Sequence, residues 1–148
     1  LFEMNTLYEE YIGNVIEGIW NNSYRRTKLQ DNSKYLVKNL YTGRGNFNLK
    51  PDIVLSDEKG DFEIIIDTKW KSAESKVESA DMYQMYAYVT RYEKARSSIL
   101  LYPYYNEDYY RDWCLYNEVD KKIAVRVVRL ESVDNTIEDL KSILNEFS

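Results

Sequence analysis

The sequence contains no histidine and a single cysteine, Cys114, among its 148 residues. Without histidine, Ser-His-Asp catalysis, Cys-His catalysis and every metal centre that uses imidazole ligands are excluded. One cysteine cannot form an internal disulfide or a cysteine-ligated zinc site, and it fits a reducing cytoplasm. The G-x-x-x-x-G-K-[ST] signature of nucleotide-binding P-loops is also absent. Carboxylates, lysines and a bound cation are the groups that remain for catalysis.

Long hydrophobic runs are also missing from the chain. No apolar stretch approaches the ~20 residues that a membrane helix needs, so the sequence predicts no membrane association. With 44% hydrophobic residues, residues 1–148 are enough for one compact domain and too few for two. The N-terminus is acidic and amphipathic and enters a helical pattern directly at Leu1, so we expect no signal peptide. We expect a single domain that is a fragment of a longer protein.

The net charge of −5 is unfavourable for binding nucleic acid, but the charge is unevenly distributed. Residues 21–50 contain seven basic side chains against one acid, whereas from residue 101 onward ten acids oppose six bases. Arg25 and Arg26 in the basic stretch are candidate contacts to nucleic acid. The same stretch holds the aromatic residues Tyr24, Tyr35, Tyr41 and Phe47. These rings either stack on bases or pack in a core behind a solvated strand face, and the sequence leaves both interpretations open.

Hydrophobic periodicity divides the chain into helices and strands. It predicts helices at about residues 4–20, 79–96 and 136–147, and strands at 98–102 and 123–130, with Ser79 and Asp81 as candidate caps of the second helix. The aromatic segment at residues 102–116 is predicted to be helix-like and to pack in the core, with an exposed docking patch as the alternative. This order predicts an α/β fold with a mixed central β-sheet flanked by helices.

Two strand-like runs, residues 47–55 and 62–70, flank a polar turn and predict a β-hairpin. If the turn is symmetric, Asp52 lies opposite Ile65. Because side chains alternate along a strand, Ile65, Asp67 and Lys69 then share one face with Asp52. Asp52 and Asp67 become diagonal neighbours, roughly 7 Å or less apart at Cβ. A register slip of one residue would separate them, since it moves every side chain of a strand to the other face.

Two carboxylates so close to each other repel, so one should hold a proton near neutral pH unless a cation lies between them. Oxygen ligands around an open site suit Mg²⁺, with Mn²⁺ as a substitute. The alternative is a chance alternation of Asp and Lys on an exposed strand. However, Asp67 follows Ile64-Ile65-Ile66, which is typical of an interior strand, where an unpaired charge is costly. The residues therefore predict a metal site formed by Asp52 and Asp67.

These residues resemble a known nuclease signature. Pro51-Asp52 followed by Asp67-Thr68-Lys69 resembles the PD-(D/E)xK motif, and the string 84–88, with Gln84 and Tyr88, resembles the Q-x-x-x-Y motif of its RecB-like branch. The wider strings around these motifs resemble McrC, the nuclease subunit of modification-dependent (5-methylcytosine) restriction systems. The resemblance covers about residues 7–103. PD with DxK alone is a weak signal, but together with Q-x-x-x-Y in the right order it is specific.

The resemblance implies a restriction-endonuclease-like core and a Mg²⁺-dependent DNA endonuclease. By this resemblance, Asp52 and Asp67 are metal-binding acids, with the Thr68 carbonyl as a further ligand. Lys69 is the residue that orients the attacking water and offsets charge on the phosphate. Glu9 matches the catalytic and metal-binding acid of the N-terminal helix. Its neighbour Glu10 is the rival, although Glu9 lies nearer the apolar stripe of that helix.

Further roles implied by the resemblance concern the DNA and a partner protein. Gln84 and Tyr88, one helical turn apart, would contact the attacking water or the phosphate, while Tyr88 can equally be a core residue. Lys71 is a candidate contact to the DNA backbone. The family also implies a GTP-driven McrB-like ring motor as partner, bound through a region N-terminal to the nuclease part. A RecB-like exonuclease or repair nuclease, and a non-catalytic nucleic-acid-binding domain, are the alternatives.

Overall fold

The computed structural model describes residues 2–72, 77–106 and 108–148. Its helices are α1 (Phe2–Trp20), α2 (Ser79–Arg91) and α3 (Val133–Phe147). Its strands are β1 (Arg25–Leu29), β2 (Tyr35–Lys38), β3 (Gly45–Asn48), β4 (Ile53–Asp57), β5 (Glu63–Thr68), β6 (Ala95–Pro103), β7 (Arg111–Cys114) and β8 (Lys122–Val128). No helix in these described ranges is long and apolar enough to cross a membrane.

Six strands form a mixed central sheet in the order β1-β4-β5-β6-β8-β7. The pairs β5–β6 and β6–β8 are parallel, and the remaining neighbours in this sheet are antiparallel. Strands β2 and β3 form a separate two-stranded antiparallel sheet. Helices flank the central sheet, so the α/β class and the restriction-endonuclease-like arrangement expected from the sequence are confirmed.

Two hydrophobic cores lie on the two faces of the central sheet, because successive strand residues point to opposite sides. Ile53 and Ile64 point into the core that also contains the buried stripe of α1 and the buried residues of α3. Val54 and Ile65 point into the other core, against the buried residues of α2. The sheet is therefore covered on both sides, which explains why β4, β5 and β6 read as nearly continuous apolar runs.

The hairpin that carries the candidate acids is present, but its strand bounds and register differ from the sequence prediction. The predicted strand 47–55 is split into β3 and β4. Phe47 adopts a φ of 60°, and Pro51 lacks the N–H that a strand ladder requires, so the chain cannot stay extended between them. In the observed register Ile53 pairs with Ile66, so Asp52 is not opposite Ile65. The pairing is shifted by two residues from the predicted one, so Asp52 still lies on the same face of the sheet as Asp67.

The second helix begins at Ser79, as predicted, but it ends earlier than predicted and has a different N-terminal capping residue. It ends at Arg91, and the buried strand β6 already begins at Ala95. The Nζ of Lys121 donates hydrogen bonds to the carbonyl oxygens of Val89 at 2.6 Å, Tyr92 at 3.4 Å and Glu93 at 3.2 Å, so it satisfies the groups exposed by the helix end.

At its N-terminus, α2 is preceded by Glu78 as the capping residue, and no side-chain capping bond is formed there. The sequence-based assignment of Ser79 and Asp81 as caps was therefore wrong. Ser79 is the first residue of the helix, and Asp81 lies in its first turn. The carboxylate of Asp81 instead binds two lysines described below.

The aromatic segment was predicted to be helix-like, but its described residues, 102–106 and 108–116, contain no helix. It begins with the end of β6 and contains the edge strand β7, in which every residue is exposed, and Leu115 after β7 is buried in the α2-side core. Tyr102 is fully buried and Tyr109 packs partly against the α2-side core. Exposed large side chains of the segment are Tyr105, Tyr110, Trp113 and Tyr116. Because β7 lies at the edge of the sheet, it has a neighbouring strand on one side only, and the local sequence does not show this position.

Candidate active site at the end of strands β4 and β5

Asp52 and Asp67 lie together where β4 begins and β5 ends. One residue beyond the observed pair Ile53–Ile66, the antiparallel ladder places Asp52 level with Asp67. Asp52 is partly buried, and its Oδ2 accepts hydrogen bonds from the backbone N–H and the hydroxyl of Thr68, both at 2.8 Å. Asp67 is 4% exposed. Both carboxylates are thus held by the sheet on the face expected from the sequence.

Burial raises the pKa of Asp52 from its ordinary value of 3.8 to about 7. The charge of Asp67, and less strongly that of Glu9, adds to this shift, while the hydrogen bonds from Thr68 oppose it. Burial also raises the pKa of Asp67, although the adjacent Lys69 ammonium favours the charged form. The site therefore crowds acidic groups where water cannot solvate them, as expected for a group of ligands that a cation would neutralise.

Lys69 connects the two acids to helix α2. Its Nζ lies 2.8 Å from Asp67 Oδ2 and 3.4 Å from Asp81 Oδ1, and it donates a hydrogen bond of 2.9 Å to Gln84 Oε1. Burial alone would lower the pKa of Lys69, but the neighbouring Asp67 and Asp81 carboxylates raise it overall. Lys69 is therefore a charged lysine whose position is fixed by three acceptors.

Gln84 and Tyr88 extend this network along one face of α2. The Gln84 side-chain amide donates to the Tyr88 hydroxyl at 3.0 Å while its carbonyl oxygen accepts from Lys69. Tyr88 is buried in the α2-side core, and burial together with the charges of Asp67 and Asp52 raises the pKa of its hydroxyl. The Tyr88 ring therefore packs in the core, and its hydroxyl reaches Gln84, whereas contact of Tyr88 with the attacking water or the phosphate stays a prediction.

Glu9 approaches the same cleft from α1. It is partly buried and lines the cleft with Asp52 and Asp67, whereas Glu10 is exposed and does not line it. The Glu9 carboxylate accepts a hydrogen bond from the side-chain amide of Gln30, which follows β1. Of the two acids that the sequence could not separate, the structure brings Glu9 to the site.

The open cleft has a volume of about 420 Å³. Within residues 2–72, 77–106 and 108–148, no group of three or more His, Cys, Asp or Glu side chains is arranged to hold a metal ion. Two carboxylates are nevertheless a sufficient protein contribution for Mg²⁺, which keeps several of its waters and demands oxygen ligands. Asp52 and Asp67 meet this requirement, and their raised pKa values show a local excess of acid that a divalent cation would offset.

Sequence similarity places the chain in a known family. Residues 1–103 match the family model of the McrBC 5-methylcytosine restriction system component. The chain belongs to this family. The matched part includes Asp52, Asp67, Lys69, Gln84 and Tyr88, so the resemblance inferred from these residues is confirmed. No curated protein matches this McrBC-family chain.

The fold of the McrBC-family chain is also found in a solved structure from Thermococcus gammatolerans. That structure is described as a refined half-complex from a tetradecameric assembly of McrB AAA+ hexamers with bound McrC. The superposition has a TM-score of 0.63 at 16% sequence identity and covers 95% of this chain and 33% of the other. At this identity the similarity shows a shared fold. The present chain spans about a third of the length of its structural relative.

The candidate DNA contacts of the McrBC-family chain lie at different distances from the cleft. Lys71 lines it and binds Asp81 at 2.8 Å and Glu78 at 3.3 Å. Arg25 and Arg26 are exposed on β1, where Arg25 pairs with Asp57 at the other end of β4. Arg25 lies four strand positions beyond the level of Ile53, about 13 Å away, and Arg26 lies three positions beyond it, about 10 Å away. The structure thus brings Lys71 to the site and leaves the two arginines apart from it.

Two charged residues that were not assigned to the cleft from the sequence, Asp81 and Lys50, also line it in the McrBC-family chain. Asp81 binds both Lys69 and Lys71, and the charges and hydrogen bonds of these lysines lower its pKa against the opposing effect of burial. Lys50 lies beside Asp52 in the cleft lining. Asp81 could have been found from its spacing, because residues three apart share a helix face and Gln84 follows it by three.

Proposed function

We propose that this chain is the metal-dependent DNA endonuclease domain of an McrBC-type restriction system, which hydrolyses phosphodiester bonds. The observation that carries the proposal is the pair of acids Asp52 and Asp67, crowded together at the end of the hairpin with the Lys69 ammonium 2.8 Å from Asp67. Maintaining such a cluster costs folding free energy. A functional role explains why the chain retains it.

The chain's own residues divide the work of hydrolysis. We assign Asp52, Asp67 and the Thr68 carbonyl to holding Mg²⁺ or Mn²⁺, with Glu9 as the acid that reaches the cleft from α1. When bound, the cation supplies positive charge to the phosphate and lowers the pKa of water. Gln84 positions Lys69 through their 2.9 Å hydrogen bond. Lys69 then orients the attacking water and stabilises the negative charge that develops on the phosphate.

The family and the structural relative support a larger setting for this activity. We propose that the chain works with a GTP-driven McrB-like ring motor, as the relative's assembly pairs McrB with McrC. The single, exposed Cys114 fits a cytoplasmic location. The family match supports an McrBC-type nuclease over a RecB-like exonuclease or repair nuclease, because its model is that of an McrBC component.

Replacement of Lys69 tests the catalytic assignment. Lys69→Ala keeps both acids, so we expect binding of Mn²⁺ and DNA to change little. Because it removes a charge positioned for the transition state, cleavage should slow by ~10²–10³. The matched control is Lys59→Ala, an exposed lysine in the β4–β5 turn at the other end of the sheet.

The measurement is nicking of supercoiled plasmid by the complex assembled with its McrB-like partner, GTP and Mn²⁺. A normal rate for Lys69→Ala would show that the assignment of the DxK motif is wrong. Absence of any cleavage by the wild-type complex, with DNA binding intact, would instead support a non-catalytic DNA-binding domain.

A further inference from the structure

A hairpin arm, defined here as residues 34–50, stands outside the central sheet. It consists of β2, β3, the turn between them and the adjoining residues Lys34, Leu49 and Lys50. Its base is fixed to the domain, because the Arg91 guanidinium of α2 donates to the Tyr35 carbonyl oxygen at 2.6 Å. The Asn48 side-chain amide also donates to the carbonyl oxygens of Asn32 at 2.8 Å and Lys34 at 2.9 Å. The arm is thus a defined element of the fold.

The tip of the hairpin arm exposes two large side chains. Leu40 is 90% exposed and Tyr41 is 96% exposed. The turn that presents them is ordered by Asn39, whose side-chain oxygen accepts hydrogen bonds from the backbone N–H groups of Tyr41 at 2.9 Å and Thr42 at 3.0 Å. Gly43 supplies the left-handed conformation that the turn needs, at φ 73°. The fold thus holds an apolar and an aromatic side chain in solvent, where they contribute nothing to either core.

The charge of the hairpin arm is opposite to that of the rest of the molecule. It contains four basic residues, Lys34, Lys38, Arg44 and Lys50, and no acid, so the remaining chain carries 16 basic and 25 acidic residues, a net charge of −9. Lys38 and Arg44 flank the exposed tip, since Lys38 pairs with Gly45 across the two strands. Neither of these two side chains forms an ion pair within the described part of the chain.

The hairpin arm leads directly into the candidate active site. Only residues 49–51 separate β3 from Asp52, and Lys50 among them lines the cleft. The two strands of the arm also pack closely on each other, because a Cβ added at Gly45 would lie 2.5 Å from the Tyr35 ring. A polyanion that reaches the cleft would therefore meet Lys50, at the end of the arm, within an otherwise acidic molecule.

We propose that the hairpin arm binds the DNA on which the active site acts. Lys38 and Arg44 contact backbone phosphates, and Leu40 and Tyr41 enter the groove and contact sugars and bases. This inference rests on the proposed nuclease function and extends it to how the substrate is held. Unpaired cations favour a polyanion, and exposed aromatic and aliphatic side chains beside them are suited to nucleotide faces.

The test compares two double variants that remove the same charge from different places. Lys38→Gln with Arg44→Gln neutralises the arm, and Lys59→Gln with Arg96→Gln neutralises two exposed residues at the opposite end of the sheet. Binding of the chain to a fluorescent DNA duplex is measured by anisotropy without divalent cations, between 50 and 200 mM salt. Each phosphate contact contributes about 0.9 to the slope of log affinity against log salt. We expect the arm variant to lower that slope by about 2 and the control to leave it nearly unchanged.

A second pair of variants tests the tip. Tyr41→Ala should weaken DNA binding by roughly fivefold or more, which corresponds to a base–aromatic contact of at least ~1 kcal/mol. Tyr41→Phe keeps the ring and should retain wild-type affinity. Because Tyr41 is exposed, both variants should melt at the wild-type temperature.

Equal salt slopes for the arm and control variants would overturn the proposal. Unchanged DNA binding with reduced affinity for the McrB-like partner would overturn it too, and would make the arm a protein-docking element. These outcomes are distinct from failure of the nuclease proposal, which is decided by metal-dependent nicking and by Lys69→Ala. If the wild-type complex did not cut DNA but the arm variant bound DNA more weakly than wild type, the nuclease proposal would fail and the proposal that the arm binds DNA would stand.

Discussion

Asp52 should make the metal-free domain more stable at mildly acidic pH than at alkaline pH. Its pKa of about 7 in the folded protein lies well above its ordinary value of 3.8. The folded state therefore binds this proton more tightly than the unfolded state does. The stabilisation is complete below about pH 4 and is lost as the pH rises through 7.

The magnitude follows from the two pKa values. Between pH 8 and pH 5, a shift of this size changes the free energy of unfolding by about 2–3 kcal/mol in favour of the lower pH. The acids whose pKa values are lowered, Asp31 and Asp81, contribute in the opposite direction, but only below their ordinary value of 3.8. Glu63 and Asp67 have raised pKa values and act in the same direction as Asp52. A variant of Asp52 is therefore needed to measure how much of the pH dependence of stability comes from Asp52 alone.

The assay is urea denaturation at pH 5, 6, 7 and 8 in the presence of a chelator. Asp52→Asn removes the titrating group, so we expect a flatter dependence of stability on pH and higher stability than wild type at pH 8. Asp57→Asn is the matched control, because Asp57 lies at the other end of β4, and it should keep the wild-type slope. If Asp52→Asn and wild type showed the same slope, the two carboxylates would not be coupled as the structure indicates.

Three further predictions concern metal binding, packing and DNA. Mn²⁺ at 100 times its dissociation constant should stabilise the wild-type domain by ~2.7 kcal/mol in a thermal melt, and Asp67→Asn should remove most of that shift. Arg126 is buried and donates hydrogen bonds to Asp112 at 2.8 Å and to Glu146 at 3.0 Å. Arg126→Ala should lower the free energy of unfolding, measured by urea denaturation, by about 3 kcal/mol. Arg25→Gln with Arg26→Gln should weaken DNA binding and lower its salt slope by about one unit for each phosphate that the variant no longer binds, while single-turnover cleavage at saturating DNA stays unchanged.

The site could be predicted from the sequence because it depends on local periodicity. Strand alternation alone puts Asp67 and Lys69 on one face, and helical spacing alone puts Gln84 and Tyr88 on another. The hairpin adds Asp52 to the same face, and this survived an incorrect register because the observed pairing differs by an even number of positions along the ladder. A shift of two positions leaves a strand residue on the same face of the sheet, but it changes the residue that lies opposite it on the neighbouring strand.

The features that were not predicted depend on contacts distant in sequence or on special backbone conformations. The end of α2 is determined by Lys121, 30 residues after Arg91, and no local pattern contains that information. The positive φ of Phe47, inside β3, is uncommon for an aromatic residue, and the sequence pattern did not indicate it. Exposure of Trp113 depends on β7 being an edge strand, which only the assembled sheet determines.

The contacts at the two ends of α2 have a mechanical consequence. At its first turn Asp81 is held by Lys69 and Lys71, and at its C-terminal end Lys121 holds three carbonyl oxygens, one in the last turn and two just beyond it. Opposite charges thus clamp the helix at both ends, each in the sense that favours the helix dipole. Sliding or tilting of α2 would break ionic contacts at one end or the other. We therefore expect α2, which carries Asp81 and Gln84 in the cleft lining, to keep its position when a substrate binds.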